Sequence, residues 1–287
     1  MSNRLTVAKT YKLYIGGKFP RSESGRAYAV KNAKGENICQ LSRASRKDFR
    51  EAVVACRKAI PGWASRTAFN RSQILYRIAE MLESRKEQFI YELQQTGSSK
   101  AEANKEVEYS IDRLVYYAGW ADKYTQVFGS VNPVATSHFN FSMPEPMGII
   151  AGMAPDKHPL LGLISVIAPI ITGGNSCVVL ASSINPFISI SFAEVLNSSD
   201  VPGGVVNILT GYRDELLIHF ATHMDVNAVV YCGNDKKQIK SIQENAALNV
   251  KRVILRKVTD WYSDKAQSPY MIMDNQEIKT AWHPIGV

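Results

Sequence analysis

The chain has 287 residues, a net charge of +8, 45% hydrophobic residues and 21% charged residues. This balance is typical of a folded globular protein, and it excludes a largely disordered, collagen-like or disulfide-dense chain. The length allows one large domain or two modest ones. No run of about 18 uncharged apolar residues occurs, so neither a transmembrane helix nor a membrane partner is expected. The first residues lack the apolar core of a signal peptide, which favours a cytoplasmic protein.

The positive charge is spread along predicted amphipathic helices. The densest basic group comprises Lys236, Lys237, Lys240, Lys251, Arg252, Arg256 and Lys257. No basic stripe is interleaved with aromatic residues, so a nucleic-acid partner is not expected, although binding of an anion or nucleic acid stays open as a weaker alternative. The four cysteines form no CxxC pair, which favours reduced thiols, and no Cys/His cluster has zinc-ligand spacing, so no metal site is expected.

The first half of the chain predicts a small β-rich segment followed by helices. A strand that ends in a hairpin turn at Gly16-Gly17 is predicted over residues 11–17, and two short strands are predicted over residues 27–41. Helices are predicted over residues 46–60, 70–85, 86–95 and 101–127. Ser45 is the expected N-cap of the first helix, and Pro61-Gly62 is its expected end. Residues 137–143 alternate between polar and apolar side chains, which is typical of a two-sided strand or a projecting ribbon.

Apolar strands alternate with helices after residue 148. Strands are predicted over residues 148–153, 176–180, 205–209, 228–231 and 252–255, and helices over residues 159–172, 186–197, 214–222 and 235–247. Continuous apolar runs indicate strands that are buried on both faces. We therefore predict an α/β fold with a doubly wound parallel sheet and right-handed crossovers. Ligands of such sheets bind at the carboxyl ends of the strands, here residues 154–159, 181–185, 210–213 and 232–236.

The regular pattern ends near Lys257. The remaining residues predict a polar stretch that contains Trp261, Tyr262 and Tyr270, followed by one terminal strand that pairs with another strand. The chain is accordingly divided into a domain of residues 1–257 and a tail of residues 258–287.

Several motifs occur in a fixed order between residue 11 and about residue 255. They are Tyr14–Lys18, Gly62-Trp63, Glu145–Ile150, Pro155–Leu161, Ala168–Leu180, Val201–Gly211 and His223–Gly233. Together they resemble the aldehyde dehydrogenase superfamily. The resemblance implies a Rossmann-like coenzyme-binding domain, with an oligomerisation ribbon at about residues 135–146. Residues 276–281 are similar to the family's last strand, which pairs across subunits.

The resemblance also implies that a segment is missing. Between the end of the coenzyme domain and its last strand, the family carries a catalytic domain with a nucleophilic cysteine, and this chain has no counterpart. Such shortening resembles the degenerate second half of the family 16 type aldehyde dehydrogenases. The chain is therefore expected to be a truncated member of the superfamily, predicted to be inactive alone.

The family's catalytic positions are changed in this sequence. Lys157 aligns with the asparagine whose amide stabilises the oxyanion, and it is expected to be a solvated loop lysine, although it could place a cation there. Arg256 aligns with the general-base glutamate, and a guanidinium cannot accept a proton at neutral pH. Arg256 is expected to cap the strand end or to pair with Asp156. No catalytic residue is therefore assigned.

The family's coenzyme contacts are also changed. Ala181 and Ile184 replace the lysine and glutamate that contact the adenosine ribose. Gly233 matches the family's pyrophosphate-binding turn, but Asn234 or Asp235 is expected to act as an ordinary N-cap, and the Asp235 carboxylate would repel a pyrophosphate. Lys236 and Lys237 could compensate in part. The prediction is that no cofactor binds, with weak NAD binding as the alternative, and that a vestigial cleft remains. This cleft comprises Pro155, Lys157, Gly233, Asn234 and Arg256.

Cys232 is the one cysteine at a strand end just before a helix, where a thiol pKa can be lowered. His158 could approach it in space and act as a base. An inert, partly buried thiol is the favoured interpretation, and a reactive thiol is the alternative.

These residues predict a catalytically inactive aldehyde dehydrogenase-like subunit that acts in assembly or regulation. A coenzyme domain without its catalytic partner exposes an apolar face, and residues 139–143 and 278–282 would be open strand edges. The expected partner is a second copy of the chain or a full-length aldehyde dehydrogenase. The alternative is an NAD-binding subunit of an oxidoreductase whose catalytic domain is on another chain.

Overall fold

The computed structural model describes residues 9–32 and 34–286, and the description of the fold refers to these residues. The chain begins with a small sheet in the order β1-β3-β2. Its strands are β1 (Thr10–Tyr11), β2 (Ala27–Lys31) and β3 (Asn37–Ser42). The predicted turn at Gly16 and Gly17 is confirmed, since both glycines adopt positive φ, whereas the strand predicted before it is limited to β1 and to isolated bridges. Tyr14 instead forms an isolated bridge to Ile208.

Five helices follow the small sheet. They are α1 (Arg46–Ala64), α2 (Ala68–Ser84), α3 (Lys86–Gln95), α4 (Lys100–Trp120) and α5 (Tyr124–Phe128). The prediction that Ser45 caps α1 is confirmed, and Asp48 completes a capping box. However, α1 continues through Pro61, because the fully buried Trp63 anchors its last turn by donating to the carbonyl of Ile171 at 3.0 Å. The predicted helix over residues 101–127 is two helices, separated by a turn that places Tyr124 in the core.

A parallel five-stranded sheet forms the centre of the molecule, with strand order β10-β9-β6-β7-β8. Its strands are β6 (Ile149–Met153), β7 (Ser176–Leu180), β8 (Val206–Leu209), β9 (Ala228–Tyr231) and β10 (Arg252–Leu255), and the connecting helices are α6 (Pro159–Thr172), α7 (Phe187–Asn197), α8 (Arg213–Thr222) and α9 (Lys236–Ala247). Every residue of β6 to β9 is buried, as expected for a sheet that is covered on both faces. The predicted doubly wound α/β fold is confirmed.

The strand order creates a crevice at the carboxyl edge of the sheet. From β6 the chain winds outward through β7 and β8, and it then returns to the other side of β6 to form β9 and β10. The helices that follow β6 and β9 therefore diverge, and the loops between them are where ligands bind in such folds.

A second, antiparallel sheet forms the ribbon, which we define as β4 (Ser130–Asn132), β5 (His138–Pro146) and β11 (Gln276–Pro284). The order is β11-β5-β4, and β11 pairs with β5 along its whole length. The predicted terminal strand is confirmed, but residues 140–142 are not an open edge, because β5 pairs there with both β4 and β11. Phe139 and Met143 pair with β11 alone, and the other edge of β11 has no partner strand among the described residues. One edge of β11 joins β5 of the same chain, and pairing across subunits through its other edge stays a prediction.

The tail before β11 is folded, although its sequence shows no periodicity. It contains a 3₁₀ turn (Asp264–Ala266) and α10 (Tyr270–Met273). Trp261 and Ala266 are buried against Leu161 of α6, and Ile272 joins the main core. The tail thus covers part of the surface that was expected to be exposed.

Glu92 of α3 is a buried carboxylate whose pKa is raised by burial. Its Oε1 accepts hydrogen bonds from Gln88 and Ser191, at 2.9 and 2.8 Å, whereas Oε2 has no partner among the described residues. Because the folded-state pKa lies above the unfolded one, Glu92 favours folding at low pH, and this contribution is lost as pH rises through the folded-state pKa.

Glu92→Gln keeps the two accepted hydrogen bonds and removes the buried charge. The variant should exceed the wild type in free energy of unfolding at neutral pH by about 1 kcal/mol, and the difference should shrink toward pH 4. Urea denaturation across this pH range measures it, and the exposed Glu83→Gln is the control. A variant that is less stable than the wild type at neutral pH would contradict the assignment.

Candidate functional site

The loop after β6 lies at the centre of the crevice. Pro155 is buried, Lys157 is exposed, and His158 adopts a left-handed conformation with φ of 54°. The N-terminus of α6 is covered by the chain itself, because the buried Glu106 of α4 accepts hydrogen bonds from the backbone N–H groups of Leu160 and Leu161, at 2.9 and 3.3 Å. The positive end of α6 is therefore already opposite a carboxylate.

Asp156 joins three of the loops at the carboxyl edge. It accepts hydrogen bonds from the backbone and the hydroxyl of Ser183, at 3.0 and 2.6 Å, and from the Arg213 guanidinium at 3.2 Å. Arg213 also donates to the carbonyl of Ala154. Burial works against ionisation, but these hydrogen bonds and the Arg213 charge hold the pKa of Asp156 below its ordinary value.

The predicted pair between Arg256 and Asp156 is wrong. Arg256 faces the tail, where it donates to Asp274 at 2.6 Å and to the carbonyl of Met271 at 3.3 Å. The neighbouring Arg252 donates to the carbonyls of Asp274 and Gln276. The arginine that the resemblance aligns with the family's general base thus holds the tail against the end of β10.

The loop after β9 leaves little room for a pyrophosphate. The prediction that Asp235 is an N-cap is confirmed, since its carboxylate accepts from the backbone N–H groups of Lys237 and Gln238, at 2.7 and 3.2 Å. Tyr231 lies across Gly233 so closely that a Cβ on the glycine would be 2.2 Å from the tyrosine hydroxyl. Asn234 is exposed. The N-terminal N–H groups of α9 therefore face an anion of the chain itself.

The loop after β7 offers apolar groups where the family's ribose contacts align. Ala181 is buried, and the side chain of Ile184 is 55% exposed. Ser182 donates to the carbonyl of Asp156, and Ser183 donates to its carboxylate, so the hydroxyls of this loop are used within the protein.

A cavity of about 530 Å³ lies beside the end of β6. Lys105, His158 and Tyr262 line it together with residues 96–98 of the turn before α4. Tyr262 belongs to the tail; its hydroxyl is 3.0 Å from His158 Nδ1, and the Lys105 ammonium lies 4.3 Å from the centre of its ring. One wall of the crevice is thus made by the tail.

Cys232 has the properties of an inert thiol. Burial raises its pKa to about 12, although Arg256 and Arg213 act in the opposite direction. His158 makes its contacts with Tyr262 and Glu106 rather than with the thiol. The reactive-thiol alternative is therefore not supported.

Arg113 is the important residue that sequence reasoning missed. It lies on α4 with 1% exposure, and it donates to the carbonyls of Trp261 and Ala266, at 2.9 and 2.7 Å. It also donates to the Ser165 hydroxyl at 2.6 Å and to the Gln267 side chain at 3.0 Å. The signal was present in the sequence, since Arg113 shares a helical face with the buried residues 106, 110 and 117. We call this set of four bonds the Arg113 clasp.

Among residues 9–32 and 34–286, no group of three metal-ligating side chains comes together. Nor does this part of the chain contain a helix that is long and apolar enough to cross a membrane.

Comparisons with known proteins agree with this geometry. The profile described as the aldehyde dehydrogenase family matches residues 19–258. The chain is 32% identical over 252 residues to aldehyde dehydrogenase, cytosolic 1, of Elephantulus edwardii, which covers 85% of this chain and 49% of the relative. It is 31% identical over 259 residues to omega-crystallin of Enteroctopus dofleini, which covers 88% and 51%. The chain belongs to the aldehyde dehydrogenase family, and it spans about half the length of these relatives.

Solved structures give the same result for the fold. An aldehyde dehydrogenase of Bacillus cereus in complex with NAD⁺ superposes with a TM-score of 0.82 at 23% identity, over 86% of this chain and 50% of that one. A betaine aldehyde dehydrogenase variant of Staphylococcus aureus in complex with NAD⁺ gives 0.81 at 26% identity, over 85% and 50%. The resemblance that the motifs predicted is confirmed.

Arg113→Met retains the volume of the side chain and breaks the Arg113 clasp. Because two buried carbonyls lose their donor, the free energy of unfolding should fall by about 3 kcal/mol. Urea denaturation followed by circular dichroism measures it. The exposed Arg77→Met removes a surface pair and should cost under about 0.5 kcal/mol. Equal effects of the two substitutions would refute a structural role for the clasp.

Proposed function

We propose that the protein is a catalytically inactive aldehyde dehydrogenase-like subunit that acts in assembly or regulation of an aldehyde dehydrogenase complex. The observation that carries the proposal is the exposed apolar face of the ribbon. Two further parts of the proposal, catalytic inactivity and weak coenzyme binding, rest on the side chains at the carboxyl edge of the sheet.

Inactivity follows from the groups at the carboxyl edge. Arg256 cannot accept a proton, and it is engaged by Asp274. Lys157 has no side-chain amide that could donate to an oxyanion. Burial raises the pKa of the Cys232 thiol to about 12, so the thiol is protonated at neutral pH. A base, a nucleophile and an amide donor would all have to come from elsewhere.

Weak coenzyme binding follows from the charges at the N-termini of α6 and α9. Glu106 and Asp235 place carboxylates on these two ends, where a dinucleotide phosphate would otherwise accept hydrogen bonds. Tyr231 fills the space beside Gly233. A bound pyrophosphate would have to displace side chains that already satisfy the backbone.

The ribbon supports assembly because exposed apolar side chains of β4 and β5 cluster on one of its faces, beside Lys279 and His283 of β11. The register places Val131, Phe139, Phe141 and Met143 on the same face. The side chains of Val131 and Phe139 are 66% and 45% exposed. Contiguous apolar surface of this kind marks an interaction site more often than a solvated face. The partner would be a second copy of the chain or a full-length aldehyde dehydrogenase.

Light scattering of the purified protein tests the assembly proposal. The wild type should show at least twice the mass of one chain, because the apolar face of the ribbon is covered in an oligomer. The double substitution Phe139→Ser and Met143→Ser should shift the particle toward the monomer. The matched control is Met224→Ser with Leu248→Ser, which removes two exposed apolar side chains outside the ribbon.

The assembly proposal would be contradicted by a wild type that is strictly monomeric and that also does not bind an added full-length aldehyde dehydrogenase. So would a loss of mass that is equal in the ribbon variant and in its control.

The second candidate is an NAD-binding subunit whose catalytic domain is on another chain. The observation in its favour is that two of the similar solved structures are complexes with NAD⁺. Calorimetry with NAD⁺ should show no micromolar binding to the wild type, since two phosphates would meet the Asp235 carboxylate. Asp235→Asn should bind NAD⁺ more tightly than the wild type if the pyrophosphate position is still used. Micromolar binding by the wild type would favour this second candidate.

A further inference from the structure

A recess of about 390 Å³ lies between α1 and α8, outside the carboxyl-edge crevice. Arg46 and Arg50 enter it from α1, His219 enters it from α8, and His223, the residue that follows α8, also lines it. Arg46 and Arg50 are spaced by four residues, so both lie on the same face of α1. Two cations of α1 therefore face two imidazoles at the C-terminal end of α8.

No carboxylate balances these groups within the recess. Its remaining lining consists of Phe49, Ile218 and Thr222, so no acidic side chain is among the lining residues. Within the described part of the chain, neither Arg46 nor Arg50 forms an ion pair, although most arginines there do. The two guanidinium groups keep their donors free for an external partner.

Further charges surround His223. The ammonium of Lys251 donates to the carbonyl of His223 at 2.6 Å, and Lys251 is itself buried. Asp225 is the acidic residue near this imidazole, but its carboxylate is engaged by Arg57 at 2.6 Å. The balance of charge around the recess is therefore positive.

The imidazoles respond to this positive charge. Burial and the Arg46 charge lower the pKa of His219. Burial lowers the pKa of His223, Asp225 acts against this, and Lys251, Arg50 and Arg46 lower it further. Such a site gains most from a ligand that carries more than one negative charge.

We propose that the recess between α1 and α8 binds a small phosphate ester. The fork of an arginine guanidinium matches two oxygens of a phosphate, and the two arginines here give one such fork each. Phe49, which is buried and stacked on Phe220, supplies an apolar floor for the organic part of the ester. The recess is too small for a dinucleotide, and this site is independent of the proposed assembly function.

Binding should depend on pH, because a bound phosphate stabilises the protonated imidazoles. The ligand raises the pKa of His219 and His223, so protonation of the imidazoles strengthens binding as pH falls, whereas protonation of the phosphate, whose second pKa is about 6, weakens it. The charged groups that face these imidazoles are Arg46 and Arg50 of α1, Lys251 after α9, and the Asp225–Arg57 pair.

Calorimetry with inorganic pyrophosphate, at about pH 5.5 and about pH 7.5, tests the proposal. Arg50→Gln should raise the dissociation constant about tenfold at either pH. The control is Lys58→Gln, which removes one exposed positive charge from the same helix outside the recess and should change the constant by less than about twofold. Lys236→Gln, at the vestigial pyrophosphate position, should likewise leave binding intact.

A proton NMR titration of the imidazoles gives a second readout that needs no variant. Pyrophosphate should raise the pKa of His219 and His223, whereas the imidazole resonances of His138 and His283, which lie on the ribbon, serve as reference signals and should not move. The proposal is overturned by absence of binding at low pH, by equal losses in Arg50→Gln and Lys58→Gln, or by equal shifts of all four histidines.

Discussion

The Arg113 clasp is the interaction on which the arrangement of the tail depends. A guanidinium that is almost fully buried makes hydrogen bonds to carbonyls, a hydroxyl and an amide instead of a carboxylate, and burial lowers its pKa. Such a cation is costly to bury unless its donors are satisfied. Here they are satisfied by the tail, so the tail and the arginine stabilise each other. The tail then leads directly into β11 and the ribbon.

Helix α4 connects this clasp to the crevice. The same helix carries Glu106, which covers the N-terminus of α6, and Arg113, which holds the segment that contains Tyr262. Tyr262 in turn contacts His158 at the end of β6. Glu106, His158 and Tyr262 therefore form hydrogen bonds or close contacts within the protein at the place where a sheet of this kind binds a ligand. The chain keeps the fold of its family, and the polar side chains at its strand ends contribute to the stability of the fold.

The sequence predicted those parts of the structure that local patterning determines. Apolar runs such as residues 176–180 and caps such as Ser45 depend on neighbouring residues, and both are found where expected. The tail could not be predicted, because its few regular turns are fixed by distant partners. For the same reason the partner of Arg256 was assigned wrongly: a guanidinium can reach several carboxylates, and Asp274 is brought close only by the folded tail.

Hydrogen exchange of the native protein, resolved by peptide, tests most directly whether the tail is part of the folded unit. Several backbone amides of residues 264–275 donate hydrogen bonds within their turns. We therefore predict that these amides exchange as slowly as those in the edge strands of the central sheet. The contradicting result is exchange of this segment at the rate of an unstructured peptide while the sheet stays protected. The tail would then not be packed against α4 and α6.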